Sequence, residues 1–263
     1  MAERSRAQAS RGQSSRAQAS RAQSSPRTAV VWEVLRAELA RRADDGPLRV
    51  VDAGGGTGGF AVPLAEAGHD VTVVDASPDA LAALTRRAAE TAVAGRVRAV
   101  QGDADRLLDV VAAGSVDLVL CHSVLEHVDD PEAAATSMAG VLRAGGCASV
   151  LVANRAAAVL SRALGGHFEQ AAEALGSPDG RWGDGDTKRR RFDTAGAEAL
   201  LARAGLAVEQ VHGVRVVADL VPGALLDGEP GALDALLALE LAAAALPPYR
   251  DVATQLHLLA RRT

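Results

Sequence analysis

Residues Val50 to Gly59 read VVDAGGGTGG, and this stretch decides the fold. A short run of branched apolar residues enters a glycine-rich turn and leaves it as an apolar segment beginning near Phe60. Branched side chains suit a buried, pleated strand, whereas the glycines allow left-handed backbone and close approach of a ligand. A strand, a glycine loop and a helix in that order place unpaired backbone N–H groups at a helix N-terminus, where a ligand can reach them.

The same alternation continues on both sides. Upstream, Val30, Val31, Val34, Leu35 and Leu39 recur at helical spacing as far as Arg42, and Gly46 with Pro47 breaks the pattern. Downstream, strand-like runs follow at Val71 to Val74, Val97 to Gln101, Val116 to Cys121 and Ala148 to Val152, adding to Arg49 to Ala53, with Ala-rich helical stretches between them. This alternation predicts an α/β fold with a doubly wound, Rossmann-like sheet, mostly parallel. Two later runs, Ala207 to Val217 and Ala253 to Arg261, flank a Leu/Ala-rich helix around Leu233 to Leu246. They make the sheet seven-stranded and are expected to form an antiparallel C-terminal edge pair. After Asn154 the chain is helical to Leu175, then polar and glycine-rich through Arg191, which reads as an insertion at about 155–191 over one edge of the sheet. Asp193 is placed to cap the helix that runs on to Gly205.

Composition narrows the function classes. The 263 residues are 48% apolar and 23% charged, enough for a sizeable core. No stretch approaches the roughly 18 uninterrupted apolar residues of a membrane span, and the first residues lack the apolar run of a secretory signal. The expectation is a soluble, cytoplasmic protein with no membrane partner. Cys121 and Cys147 are the two cysteines, each inside an apolar run, so neither a disulfide framework nor a metal site is expected. Residues 1–26 carry SRAQAS twice, at Ser5 to Ser10 and Ser15 to Ser20, with no large apolar side chain, and predict a disordered tail before a domain spanning 27–263. Through residue 27 there are six Arg against Glu3, in a chain whose net charge is −5, so the body carries about −10. An acidic body with 2% aromatic residues is no general nucleic-acid clamp. Any contact with RNA has to be local, and the one lysine opens the local candidate, Lys188, Arg189, Arg190 and Arg191.

The loop's ligand can be read from the charges around it. Gly54, Gly56 and Gly59 satisfy GxGxxG, and Asp75 lies 21 residues beyond Gly54 at the end of the next strand, which keeps an NAD(P)-dependent oxidoreductase open. Against that reading, Asp52 precedes the loop, Asp75, Asp103 and Asp105 end the next two strands, and no neighbouring cation awaits a pyrophosphate. Negative strand ends suit a cationic ligand.

The run DAGGGTG resembles the glycine motif of the class I S-adenosylmethionine-dependent methyltransferases, and the resemblance extends from about Arg27 to Arg262. It implies that Asp52 and Gly54, Gly55, Gly56 and Gly58 lie at the methionine moiety of S-adenosylmethionine. It further implies that Asp75, with Ala76 beside it, accepts both ribose hydroxyls, and that Ala104 and Asp105 meet the adenine. The stretch VDLVLCHSVLEHV, Val116 to Val128, is similar to the family's fourth strand and the turn after it. His122 is thereby implied to face the cofactor, and it is the one candidate for a catalytic base.

The flanks resemble one subgroup, the bacterial enzymes that methylate the carboxylate of 5-carboxymethoxyuridine in tRNA. Arg27 with Val30, Val31 and Trp32, then Gly165 to Phe168, Gly213 to Val216 reading GVRV, and Pro248 with Tyr249 carry that similarity in order along the chain. It implies that Arg27 reaches the cofactor carboxylate, that Asn154 and Tyr249 stand on the substrate side, and that Lys188 to Arg191 dock tRNA phosphate. One departure stands out: where the subgroup has Pro-Arg-Asp-Pro, this chain has Arg191, Phe192, Asp193 and Thr194, so an Arg for the acceptor carboxylate is displaced or lost. A small-molecule O- or N-methyltransferase of the same fold is the alternative. A carboxylate acceptor is ionised at neutral pH and needs no general base, whereas an amine or phenol would call on His122.

Overall fold

Each branched run becomes a strand, and the glycine loop sits where the strand order reverses. The computed structural model describes residues 25–263. The expected disorder of the N-terminal tail lies outside the described residues, except at Ser25 and Pro26, which join the turn entering the first helix; the Ser25 carbonyl accepts from the N–H groups of Thr28 and Ala29 at 2.9 and 2.8 Å.

The strands are β1 (Arg49–Ala53), β2 (Asp70–Asp75), β3 (Val97–Gln101), β4 (Val116–His122), β5 (Leu142–Ala153), β6 (Leu206–Val214) and β7 (Gln255–Arg262). They form one seven-stranded sheet in the order β3-β2-β1-β4-β5-β7-β6. From β1 the chain builds outward to β2 and β3, then crosses to β4 on the other side, so β1 and β4 flank the switch point where doubly wound sheets bind ligands. Strand β7 is antiparallel to both β5 and β6, so it alone runs against the other six. It is covered on both faces, and Leu256, His257, Leu258, Leu259 and Ala260 are all buried. That explains its near-continuous apolar run, which only His257 interrupts.

Two strand limits differ from the sequence expectation by three residues or more. β5 begins at Leu142 rather than Ala148, because Leu142 already pairs with Val116 before a register shift. β6 stops at Val214 rather than Val217, because Arg215 turns to a φ of 59° and the next three N–H groups bond a side chain instead of a strand.

Helices α1 (Ala29–Arg41), α2 (Ala61–Glu66) and α3 (Pro78–Glu90) cover one face of the sheet, burying Val31, Leu35, Leu64 and Leu84 against Val50, Val71 and Leu118. Helices α4 (Pro131–Val141) and α7 (Thr194–Arg203) cover the other through Met138, Leu200 and Leu201. Ser77, Asp130 and Asp193 cap α3, α4 and α7 with side-chain oxygens, and Pro follows the first two at the opening helical turn. The insertion holds α5 (Arg155–Leu164) and α6 (Phe168–Gly176). It closes on itself where Phe192 N–H donates to the Ala153 carbonyl at 2.9 Å and Arg155 N–H to that of Phe192 at 2.8 Å. After β6 come α8 (Gly223–Gly228), α9 (Ala232–Ala243) and α10 (Tyr249–Val252). Among the described residues no helix is long and apolar enough to cross a membrane.

Candidate active site

The glycine loop is shaped by what surrounds it. Gly54 takes a φ of 71° and donates its N–H to the Val74 carbonyl at 2.7 Å; any β-carbon there would overlap Val124. A β-carbon on Gly55 would overlap the Asp52 carboxylate, whereas one on Gly58 would overlap Leu84, so Gly58 serves the packing of α3. Asp75, at the end of β2, accepts from Gly56 N–H at 2.8 Å through Oδ2 and from Ser77 N–H at 2.9 Å through Oδ1. Its carboxylate is thus fixed at the rim and keeps lone pairs for a ligand.

A cleft of about 620 Å³ opens beside this loop. Gly54, Asp75, Ala76, Ala104 and Asp105 form one side of it, and Ser123, Val124, His127, Val128 and Asp129 the other. His127, Asp129 and Arg106 are lining residues that motif reading did not select as site residues; the stretch HSVLEHV holds His127 but does not tell which of its members turns to the cleft. Of the other sequence-selected residues, Arg27 is exposed in the turn before α1, and Gly55, Gly56 and Gly58 lie in the loop without lining the cleft. Asp52 is buried beneath the loop, and burial together with the charge of Asp75 pushes its carboxyl up to about 7.

His122 lies at the end of β4 and turns away from this cleft into the sheet. Its Nε2 shares the Ser149 hydroxyl with His257 Nε2, each at 2.8 Å. The single hydroxyl proton goes to one imidazole, so the other ring must donate. Burial pulls His122 down to about 3 and holds His257 well below its ordinary range, so both are neutral at physiological pH. An imidazole that weakly basic takes up little proton near pH 7. The His122 ring meets Phe60 edge-on at 4.5 Å, and Phe60 stacks on Trp32 at 4.9 Å, tying α1 to the end of β4. Burial also pushes both thiols up, Cys147 to about 12.

The basic run is engaged within the fold. Arg190 donates to the carbonyls of Leu125, Val128 and Asp129, Arg189 pairs with Asp129, Arg191 pairs with Asp186, and Lys188 Nζ lies 3.6 Å from buried Glu126. These cations neutralise acids and close carbonyls, which leaves less charge for an incoming phosphate than composition suggests. Asn154 is buried, donates to the carbonyls of Asp251 and Ala253, and accepts from Ala156 N–H at the start of α5. With Lys188 and Arg191 it lines a second cavity of about 310 Å³, whereas Tyr249 is exposed at the start of α10 and does not line it.

The family description "Methyltransferase domain" matches residues 51–150, which hold the loop and both sides of the cleft. Over 236 residues the chain is 30% identical to the tRNA 5-carboxymethoxyuridine methyltransferase of Escherichia coli (strain K12), covering 90% of this chain and 88% of that protein. The chain belongs to the class I S-adenosylmethionine-dependent methyltransferases. It is also 31% identical to the ubiquinone biosynthesis O-methyltransferase of Xanthomonas axonopodis pv. citri (strain 306) over 67% of this chain and 70% of that protein. Magnesium protoporphyrin IX methyltransferase from Synechocystis PCC 6803, solved with S-adenosylhomocysteine bound, shares the fold with a TM-score of 0.57 at 18% identity, over 88% of this chain and 81% of that one.

The methyltransferase's cofactor is S-adenosylmethionine, and the cleft fits it. Asp75, Asp103 and Asp105 against the one lining cation Arg106 give the cleft a net acidic lining toward a sulfonium and an ammonium, with Asp129 matched by Arg189, and the bare backbone at Gly54 allows contact. Arg190 supports this cleft from behind, since all three carbonyls it holds belong to the Leu125 to Asp129 wall. Replacing Arg190 by Gln is expected to release that wall and weaken cofactor binding by about tenfold, or about 1.4 kcal/mol. Calorimetric titration with S-adenosylhomocysteine checks this, and an unchanged affinity shows that the wall stands without Arg190.

Proposed function

We propose that this enzyme transfers the methyl group of S-adenosylmethionine to the carboxylate of 5-carboxymethoxyuridine in tRNA. The supporting observation is the similarity to the Escherichia coli enzyme, which covers 236 residues and so extends far beyond the domain matched at 51–150. A small-molecule O-methyltransferase is the second reading, favoured by the likeness to the ubiquinone-pathway enzyme over 67% of the chain.

In this reading Gly54 meets the methionine portion, with Gly55, Gly56 and Asp52 shaping the loop behind it, Arg27 reaches its carboxylate, Asp75 and Ala76 hold the ribose, and Ala104 and Asp105 the adenine. When bound, S-adenosylmethionine supplies a methyl group activated by its sulfonium. The chain aligns the acceptor with it and excludes water, and neutral His122, held against Ser149 and Phe60, takes no part. A carboxylate brings its own electron pair, so no proton has to move and no residue has to act as base. Methyl transfer from labelled cofactor to tRNA bearing free 5-carboxymethoxyuridine tests the proposal, with a phenolic quinone precursor run beside it. Label in the phenol and none in the tRNA would reverse the assignment.

Asp75→Ala is expected to weaken S-adenosylhomocysteine binding by about 1–3 kcal/mol, the order of a lost hydrogen bond to a charged acceptor. Calorimetry measures it directly. A wild-type protein that bound NAD in place of S-adenosylhomocysteine would return the loop to the oxidoreductase reading.

A further inference from the structure

We propose that the second cavity is the acceptor pocket and that Arg215, assisted by Arg162, recognises the acceptor's carboxylate. This rests on the tRNA reading above and supplies the Arg that the departure after Arg191 removes. The cavity lies between α5, the loop before Phe192, residues 215–220 and the start of β7. A hydrogen bond joins its wall to that of the cofactor cleft: Gln255, which lines this cavity, donates Nε2–H to Oγ of Ser123, which lines the cleft, at 2.8 Å. An acceptor seated here would stand next to the cofactor.

Its walls carry Arg162, Lys188, Arg191 and Arg215 against a single lining acid, Asp219. Lys188 and Arg191 are already matched by Glu126 and Asp186. Arg162 has no acidic partner among the described residues; it lies over the Trp182 ring at 3.8 Å and donates to Gln170. Arg215 pairs with Asp219 through Nη1 at 2.9 Å, but its Nε is buried and unpartnered. A buried donor without an acceptor is costly, and a carboxylate is the acceptor that matches a guanidinium edge. The position is also held under strain. Among the described residues only Ala92, Ser123 and Arg215 are non-glycine residues with left-handed φ, and of the last two Ser123 lines the cleft and Arg215 the cavity. Glu240 holds Arg215 in place by accepting the N–H groups of Val216, Val217 and Ala218. Such strain persists where the surroundings fix a functional geometry.

Trp182 lines the cavity and the second tryptophan, Trp32, is buried on the inner face of α1, so ligand entry is read by tryptophan fluorescence. The probes are the nucleoside 5-carboxymethoxyuridine, its methyl ester and uridine, titrated with S-adenosylhomocysteine present. The carboxylate nucleoside is expected to bind at least about tenfold more tightly than the other two, and R215Q to abolish that preference while R215K restores part of it. R215Q is expected to keep its S-adenosylhomocysteine affinity, which shows it folded, and to raise KM for tRNA with a smaller change in kcat. Equal binding of the three probes, or a preference intact in R215Q, overturns the proposal. If tRNA is not methylated but the Arg215-dependent preference persists, the tRNA reading falls and the carboxylate pocket stands. If tRNA is methylated and R215Q performs as wild type, the pocket assignment falls alone.

Discussion

Glu240→Ala is expected to lower the unfolding free energy by about 3–5 kcal/mol, a large fraction of the stability of an ordinary domain. The Glu240 side chain comes from α9, is fully buried, and accepts from Val216, Val217 and Ala218 at 2.7, 2.8 and 2.8 Å. Backbone N–H bonds to a carboxylate contribute about 1.5–3 kcal/mol each, and they are not additive within one carboxylate. Removing the acceptor leaves three donors without a partner, that of Val216 in the buried core, which costs more than the net worth of the bonds. Glu240→Gln keeps one carbonyl oxygen and is expected to lose roughly half as much. Urea unfolding of the two variants decides the matter, and an alanine variant within 1 kcal/mol of the parent would show that the 216–218 turn holds itself. Where the variant remains folded, KM for the acceptor should rise more than the cofactor Kd, because the turn carries Arg215 and Val216 into the second cavity and not into the cofactor cleft.

That turn also marks what a sequence can and cannot display. The strands and the glycine loop are legible because their causes are local: branched residues in runs, glycines where φ is positive, and a capping oxygen three residues before a bonded N–H, as at Asp193 and Gly196. VRVV after Gly213 has the same local pattern and therefore reads as more strand, yet the N–H groups of Val216 and Val217 are taken by the carboxylate of Glu240, 24 residues beyond Val216. The basic run fails for a similar reason. KRRR advertises free charge, but Asp129, Asp186 and three carbonyls that neutralise it approach from other segments, and only the fold brings them near. His122 is an intermediate case. The motif correctly sets it at the end of β4, but the serine that fixes its ring and the second histidine beyond it come from β5 and β7, 27 and 108 residues away along successive hydrogen bonds. A lone histidine in a motif suggests a base; a histidine sharing one hydroxyl with another buried histidine does not.

Glu38→Gln is expected to destabilise the enzyme by about 3–5 kcal/mol at pH 7, and the difference should shrink as the solution is acidified. Glu38 is 5% exposed and binds three guanidinium groups: Arg41 at 2.7 Å, Arg42 at 2.7 Å and, from the far end of β7, Arg261 at 3.3 Å. Burial alone would raise its carboxyl, but the bonds from Arg41, Arg261 and Arg42 outweigh it and hold the group down at about 2. A folded-state value below the ordinary 4.5 contributes stability that is fully present above pH 4.5 and is lost as pH falls toward 2. The parent should therefore lose stability across that window while the glutamine variant, which has nothing to protonate at this site, loses less. At pH 7 the variant leaves Arg42, whose side chain is 5% exposed, facing a neutral amide, and an unmatched buried cation is the main part of the cost. The consequence reaches the cleft because α1 carries Trp32, which stacks on Phe60 against His122. Urea unfolding of both proteins at pH 7, 5 and 3, with S-adenosylhomocysteine affinity at pH 7, measures the two effects together. A gap between parent and variant that stayed constant from pH 7 to pH 3 would mean that shape, and not ionisation, is what Glu38 contributes.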